Sequence, residues 1–205
     1  MWSEIASNFP KNMTTILRLH SSRTAAVDVL RRDDIAVTVQ VLGIVGFTLL
    51  TALGASVRLY LWEVPFTLQT AAIYGSGLFL GWRNGMLSQL LYLALGLVFP
   101  VFAGEGFGAA YLLGAASAGY LLAAPVAAAV VGLLSKRWNT LTGSTLASIA
   151  GALVLFAIGV VWLHFAAGHA TWFESIDKGF IRFIPVDLAK LMFVGMLYAG
   201  TRHVA

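Results

Sequence analysis

Residues 146–166, from Leu146 to Ala166, read LASIAGALVLFAIGVVWLHFA and contain no Lys, Arg, Asp or Glu. A helix of about 20 apolar residues crosses the hydrocarbon core of a bilayer. The rest of the chain has the same character. Hydrophobic types make up 59% of its 205 residues and charged types 11%, with a mean hydropathy of +0.84. A soluble domain is nearer ~25% charged. So little polar surface cannot cover a water-soluble globule, so lipid is the solvent for most of the chain. The fold class is an all-α membrane protein.

Outward from that segment, five more spans emerge. The first runs from Ala36 to Val57, with Arg31, Arg32, Asp33 and Asp34 before it and Arg58 after it. The second, Phe66 to Leu80, leads through a polar turn at Trp82-Arg83-Asn84-Gly85 into the third, Met86 to Phe99, which stops at Pro100. Ala103-Gly104-Glu105-Gly106-Phe107-Gly108 then predicts irregular backbone, because glycine marks places where a helix does not continue. The fourth span is Ala109 to Leu134, with a kink expected at Pro125. After the span at 146–166 comes a polar loop, Gly168 to Phe183, and the sixth span, Pro185 to Ala199. Residues 1–35 form a cytosolic or surface-lying segment, and residues 36–205 one six-helix transmembrane domain. Trp62, Trp138, Trp162 and Trp172 fall near span ends, as interfacial belt residues do.

Charge placement orients the bundle. With the amino terminus inside, Lys11, Arg18, Arg23, Arg31, Arg32, Arg83, Lys136, Arg137 and Arg202 are cytosolic, and Arg58, Lys178 and Arg182 are outside. Basic residues collect on the cytosolic side of membrane proteins, so both termini are expected there, in a multi-pass protein of the plasma membrane. The net charge of +4 is a topology signal rather than a nucleic-acid-binding face. Cysteine is absent, which excludes thiolate metal sites and thiol catalysis. His164 and His169 are spaced poorly for one helical face, so no metal site is expected. No GxxxxGK[ST], HExxH or GxSxG pattern occurs, and no enzymatic activity is expected.

Charges inside spans are costly and point to function. Asp187 and Lys190 lie three apart on the sixth helix and share a face. Asp187 is in the first turn, where an acid also suits the helix dipole, and Lys190 could snorkel outward or simply pair with it. The functional reading turns both into a cavity with a small ligand. Gly104 and Glu105 could approach that ligand from the glycine-rich loop, or Glu105 could be a solvated acid. Gln69, Tyr92, Ser117 and Tyr120 are candidate walls of the same cavity, or hydrogen-bonding partners between helices.

Several motifs resemble one family. Val64-Pro65-Phe66-Thr67-Leu68-Gln69-Thr70 is similar to the VPxTLQT motif of the BioY proteins, the biotin-specific S components of energy-coupling-factor transporters. Gln89-Leu90-Leu91-Tyr92-Leu93, Pro100-Val101-Phe102-Ala103-Gly104, Gly119-Tyr120-Leu121 and Pro185-Val186-Asp187-Leu188-Ala189-Lys190 follow in that family's order. The resemblance implies an S-component-like bundle that binds biotin as transported substrate, with no cofactor, and with the acid and lysine of the last helix touching it. It also implies partners, namely a transmembrane coupling subunit and two ATP-binding cassette subunits. Thr48, Ala52 and Ser56 recur every four positions on the first helix. They pack inside the bundle or, as the resemblance implies, form the face that docks on the coupling subunit. Alternatives are a ligand-free membrane scaffold or an S component for another small water-soluble vitamin.

Overall fold

Gly81 has φ +77° and ψ 179°, a backbone conformation that glycine tolerates and residues with a Cβ avoid. The computed structural model describes residues 30–31, 35–61, 63–104, 106–138 and 140–203. Its elements are α1 (Val37–Ser56), strands β1 (Arg58–Leu59) and β2 (Phe66–Thr67), α2 (Gln69–Gly96), α3 (Gly108–Gly114), α4 (Ala118–Ser135), α5 (Leu141–Ala167), α6 (Trp172–Gly179), a 3-10 turn (Ile181–Phe183) and α7 (Ile184–His203). Gly81 breaks α2 into two arms that fold back on each other. Gly77 and Gly85, each four residues from the break, meet closely, with a Cβ on Gly85 falling 3.0 Å from the Gly77 backbone. Among the described residues the bundle then has six membrane-crossing segments: α1, the two arms of α2, α4, α5 and α7. Helices α1, α4 and α5 are each long and apolar enough to cross a membrane alone.

Small residues let these helices approach closely, which is how helices associate in lipid. Ala123, Ala124, Ala127 and Ala128 of α4 are fully buried between α2 and α5. A buried polar cluster ties α1 to α2. Gln89 Nε2 lies 3.2 Å from the hydroxyls of Thr51, Ser76 and Ser88. With no water in the bilayer core, such groups must satisfy one another. At one end of the bundle Arg31 donates to the Tyr198 hydroxyl at 2.5 Å and to the Gly132 carbonyl and Ser135 hydroxyl at 3.0 Å. Arg83, Lys136 and Arg137 lie near this same end.

The structure corrects four expectations. The turn between the second and third spans is at Gly81, and Trp82–Gly85 already belongs to the second arm. Phe66 and Thr67 pair with Leu59 and Arg58 in a short hairpin, so the second span starts at Gln69. The fourth span is broken at Ala115–Ser117 into α3 and α4. The Ala115 carbonyl accepts from the Ala118 N–H at 3.0 Å and from Trp162 Nε1 at 2.9 Å, which gives this tryptophan a defined partner. The polar loop 168–183 contains α6, whose first turn is capped where Thr171 Oγ1 accepts from the Glu174 N–H at 3.2 Å.

The small-residue stripe on α1 also fails as a free face. Thr48 is buried and lies 2.9 Å from the Ser88 carbonyl. Ala52 packs against the cluster of Ala55, Tyr92 and Phe102. Only Ser56 is exposed, and its hydroxyl folds back to the Ala52 carbonyl. The exposed face of α1 carries Leu42, Leu49 and Leu53 instead.

Candidate functional site

At the end of the bundle away from Arg31, the β1–β2 hairpin, α2, α4, α5 and α7 enclose a cavity of about 550 Å³ of unfilled space, open mouth included. Val64, Pro65, Ile73, Leu155, Phe156 and Phe183 supply apolar walls. Phe66, behind the hairpin wall, stacks on Phe183 at 4.2 Å between ring centres. Polar contributions come from Thr67, Gln69, Thr70, Tyr111, Ser117, Tyr120 and Lys190. A mostly apolar chamber with a few fixed polar groups is the usual form of a small-molecule site.

Asp187 and Lys190 meet as their spacing predicts, with Lys190 Nζ 3.3 Å from Asp187 Oδ1. Both are buried, at 3% and 8% exposure. Their roles differ. Lys190 lines the cavity, whereas Asp187 stands behind it and accepts from Thr70 Oγ1 and the Tyr74 hydroxyl, each at 2.7 Å. Thr70 in turn accepts from Lys190 Nζ at 2.9 Å. A buried charge pair is tolerable when its geometry and extra hydrogen bonds offset desolvation, and this four-residue cluster meets that condition.

Gln69 and Ser117 line the cavity as expected. Tyr120 does too, with its hydroxyl donating to the Gly179 carbonyl at 2.8 Å. Tyr92 is not a wall residue. It is fully buried, donates to the Val101 carbonyl at 3.0 Å and packs edge-on against Phe102. Gly104 has φ +110°, and any Cβ there would strike the Tyr60 hydroxyl. Its neighbour Ala103 reaches the cavity and receives a 2.5 Å hydrogen bond from Tyr111. Glu105 lies outside the described residues. Thr70, Tyr74 and Tyr111 escaped the sequence reading. Thr70 and Tyr74 are one helical turn apart, a spacing that repeats a hydroxyl along one face.

A polar clasp crosses the rim. Glu63, next to the wall residue Val64, accepts from Lys178 of α6 at 2.9 Å, and Glu174 accepts from the same ammonium at 2.9 Å. His169 Nε2 lies 3.6 Å from Glu63, and Ser175 Oγ sits 2.9 and 3.0 Å from Nδ1 of His164 and His169. Hydrogen bonding from Lys178 holds the carboxyls of Glu63 and Glu174 below their usual range, and Glu174 then Glu63 raise Lys178. Depressed carboxylates give an interaction that is complete above the ordinary carboxylate range and lost as pH falls through their lowered values. The clasp is thus intact at neutral pH. Exposed pairs contribute little and are screened by salt. Lys178→Met is expected to speed release of a bound ligand by no more than about fivefold, with the effect shrinking in high salt. Stopped-flow release at two ionic strengths checks this.

The model of the BioY family matches residues 23–205. The chain belongs to the BioY family. Among its relatives, the probable biotin transporter BioY of Lysinibacillus sphaericus is 35% identical over 158 residues, covering 73% of this chain and 80% of that protein. The biotin transporter BioY of Thermotoga maritima is 34% identical over 152 residues, covering 74% and 88%. The crystal structure of the S-component for biotin from an ECF-type ABC transporter superposes with a TM-score of 0.72 at 24% identity, covering 80% of this chain and 90% of that one. That chain and this one share a fold, so the expected S-component-like bundle of six membrane helices stands.

Proposed function

We propose that this BioY protein binds biotin and acts as the substrate-specificity subunit of an energy-coupling-factor transporter. The observation that carries the reading is the cavity, which joins apolar and aromatic walls to the buried ammonium of Lys190. Biotin has a polar ureido ring, a carboxylate tail and an apolar middle, and each finds a chemical match there. Gln69 adds an amide on the wall that makes no hydrogen bond to protein among the described residues. The relatives' names support the same substrate. The chain binds and releases; it does no chemistry on its ligand. Energy comes from partners, a transmembrane coupling subunit and two ATP-binding cassette subunits. Uptake of labelled biotin by a biotin-auxotrophic host tests this. Uptake is expected with the coupling subunits present, and no gain over the empty host would refute it.

The proposed orientation places both termini and the Arg31 end in the cytosol, and the cavity and clasp outside. Single cysteines at Arg137 and Ala170, both exposed, suit a test with an impermeant thiol reagent on intact cells. Only the cysteine at 170 should react. Labelling at 137 alone would invert the topology.

A further inference from the structure

Lys190 has three ammonium hydrogens. Two are engaged, one with Thr70 Oγ1 at 2.9 Å and one with Asp187 Oδ1 at 3.3 Å. One remains for the cavity. Its direction depends on where Asp187 holds the ammonium, and Asp187 is itself fixed from behind. Oδ1 takes the Thr70 hydroxyl and Oδ2 the Tyr74 hydroxyl, at 2.7 Å each. Tyr74 is fully buried and does not reach the cavity. Its hydroxyl has Asp187 as its one hydrogen-bond partner among the described residues.

We infer that Tyr74 is a positioning residue, which acts through Asp187 to aim the free N–H of Lys190 into the cavity. The arrangement is a relay of fixed contacts from α2 to α7: Tyr74 orients the carboxylate plane, and the carboxylate and Thr70 together orient the ammonium. Charge-assisted hydrogen bonds are the strong members of such a network. A ligand acceptor atom then meets a donor that needs no reorganisation on binding, which is where preorganisation adds affinity. Removing the Tyr74 hydroxyl leaves the ring's volume unchanged and frees Asp187 Oδ2. The carboxylate can then swing, and Lys190 with it.

This assignment rests on biotin being the ligand, and a double-mutant cycle separates the two ideas. Biotin affinity is measured by calorimetry for wild type, Tyr74→Phe, Asp187→Asn and the double variant, with the melting temperature of each apo protein recorded alongside. Tyr74→Phe is expected to weaken binding about tenfold. In the Asp187→Asn background it should cost less than about twofold more, because a neutral amide no longer aims Lys190. A residue that only packs would weaken binding by the same factor in both backgrounds, and that result would overturn the assignment. If Tyr74→Phe does not fold, fluorinated tyrosine at position 74 keeps the shape and alters the hydroxyl. Affinity should then change with Asp187 present and not with Asn there. Equal responses in both backgrounds would overturn the relay. Wild type that binds biotin, with Tyr74→Phe binding equally well, would overturn this assignment alone. Wild type that does not bind biotin would overturn the proposed function, and this assignment with it.

Discussion

Lys190→Ala is expected to weaken biotin binding by at least about thirtyfold. Truncating one partner of a buried, charge-assisted contact costs ~2–5 kcal/mol, and about 1.4 kcal/mol is a factor of ten. The loss has two sources. The ligand loses its ammonium contact, and Asp187 becomes a buried carboxylate without a counter-ion. The second source harms the apo protein as well, since breaking a buried pair costs ~3–5 kcal/mol. Pairing Lys190→Ala with Asp187→Asn removes both charges. The double variant should regain most of the lost melting temperature while its affinity stays low. If stability and affinity recover together, Lys190 is a structural ion-pair residue and the ligand is held elsewhere.

Gly77→Val should abolish most of the folded protein. A Cβ at position 77 would clash with the Ala128 carbonyl and lie 2.8 Å from Val131 Cβ and 3.1 Å from the Gly132 nitrogen. Those atoms are mostly α4 backbone and cannot rotate away. Overpacking a tight core costs ~1–3 kcal/mol or more, and here it would force α2 from α4 where small residues set the helix spacing. Gly46→Ala is the matched control, because no atom lies within 4 Å of a Cβ there. Monodisperse yield after detergent extraction should fall sharply for the first and stay at the wild-type level for the second. Equal yields would mean that α2 and α4 do not pack this closely.

The spans were legible because hydropathy over about 20 residues depends on the lipid and hardly on neighbouring helices. The Asp187–Lys190 pair was legible for the same reason: a charge within a span stands out, and a separation of three sets a common face. What joins distant parts of the chain was not legible. Thr70 and Tyr74 reach Asp187 across more than 110 positions, and nothing local marks them as its partners. At the break at Ala115–Ser117 the Ala115 carbonyl accepts from Trp162, 47 residues away. The place of Thr48 and Ala52, inside the bundle or on a docking face, stayed open in the sequence because α1 is apolar all round and does not say which side faces the bundle. Helix α6 could have been found, since Thr171-Trp172-Phe173-Glu174 fits the S/T-x-x-E capping pattern. In a polar stretch between spans, that signal reads easily as loop.

The central claim is that the cavity beneath the hairpin holds biotin through Lys190. It is tested most directly by titrating the purified protein with biotin, and in parallel with thiamine, riboflavin and folate. Saturable binding of biotin is expected at one site per chain, at least about a hundredfold tighter than for any of the other three vitamins. Binding of another vitamin more tightly than biotin, or no saturable binding of biotin by a folded sample, would contradict it.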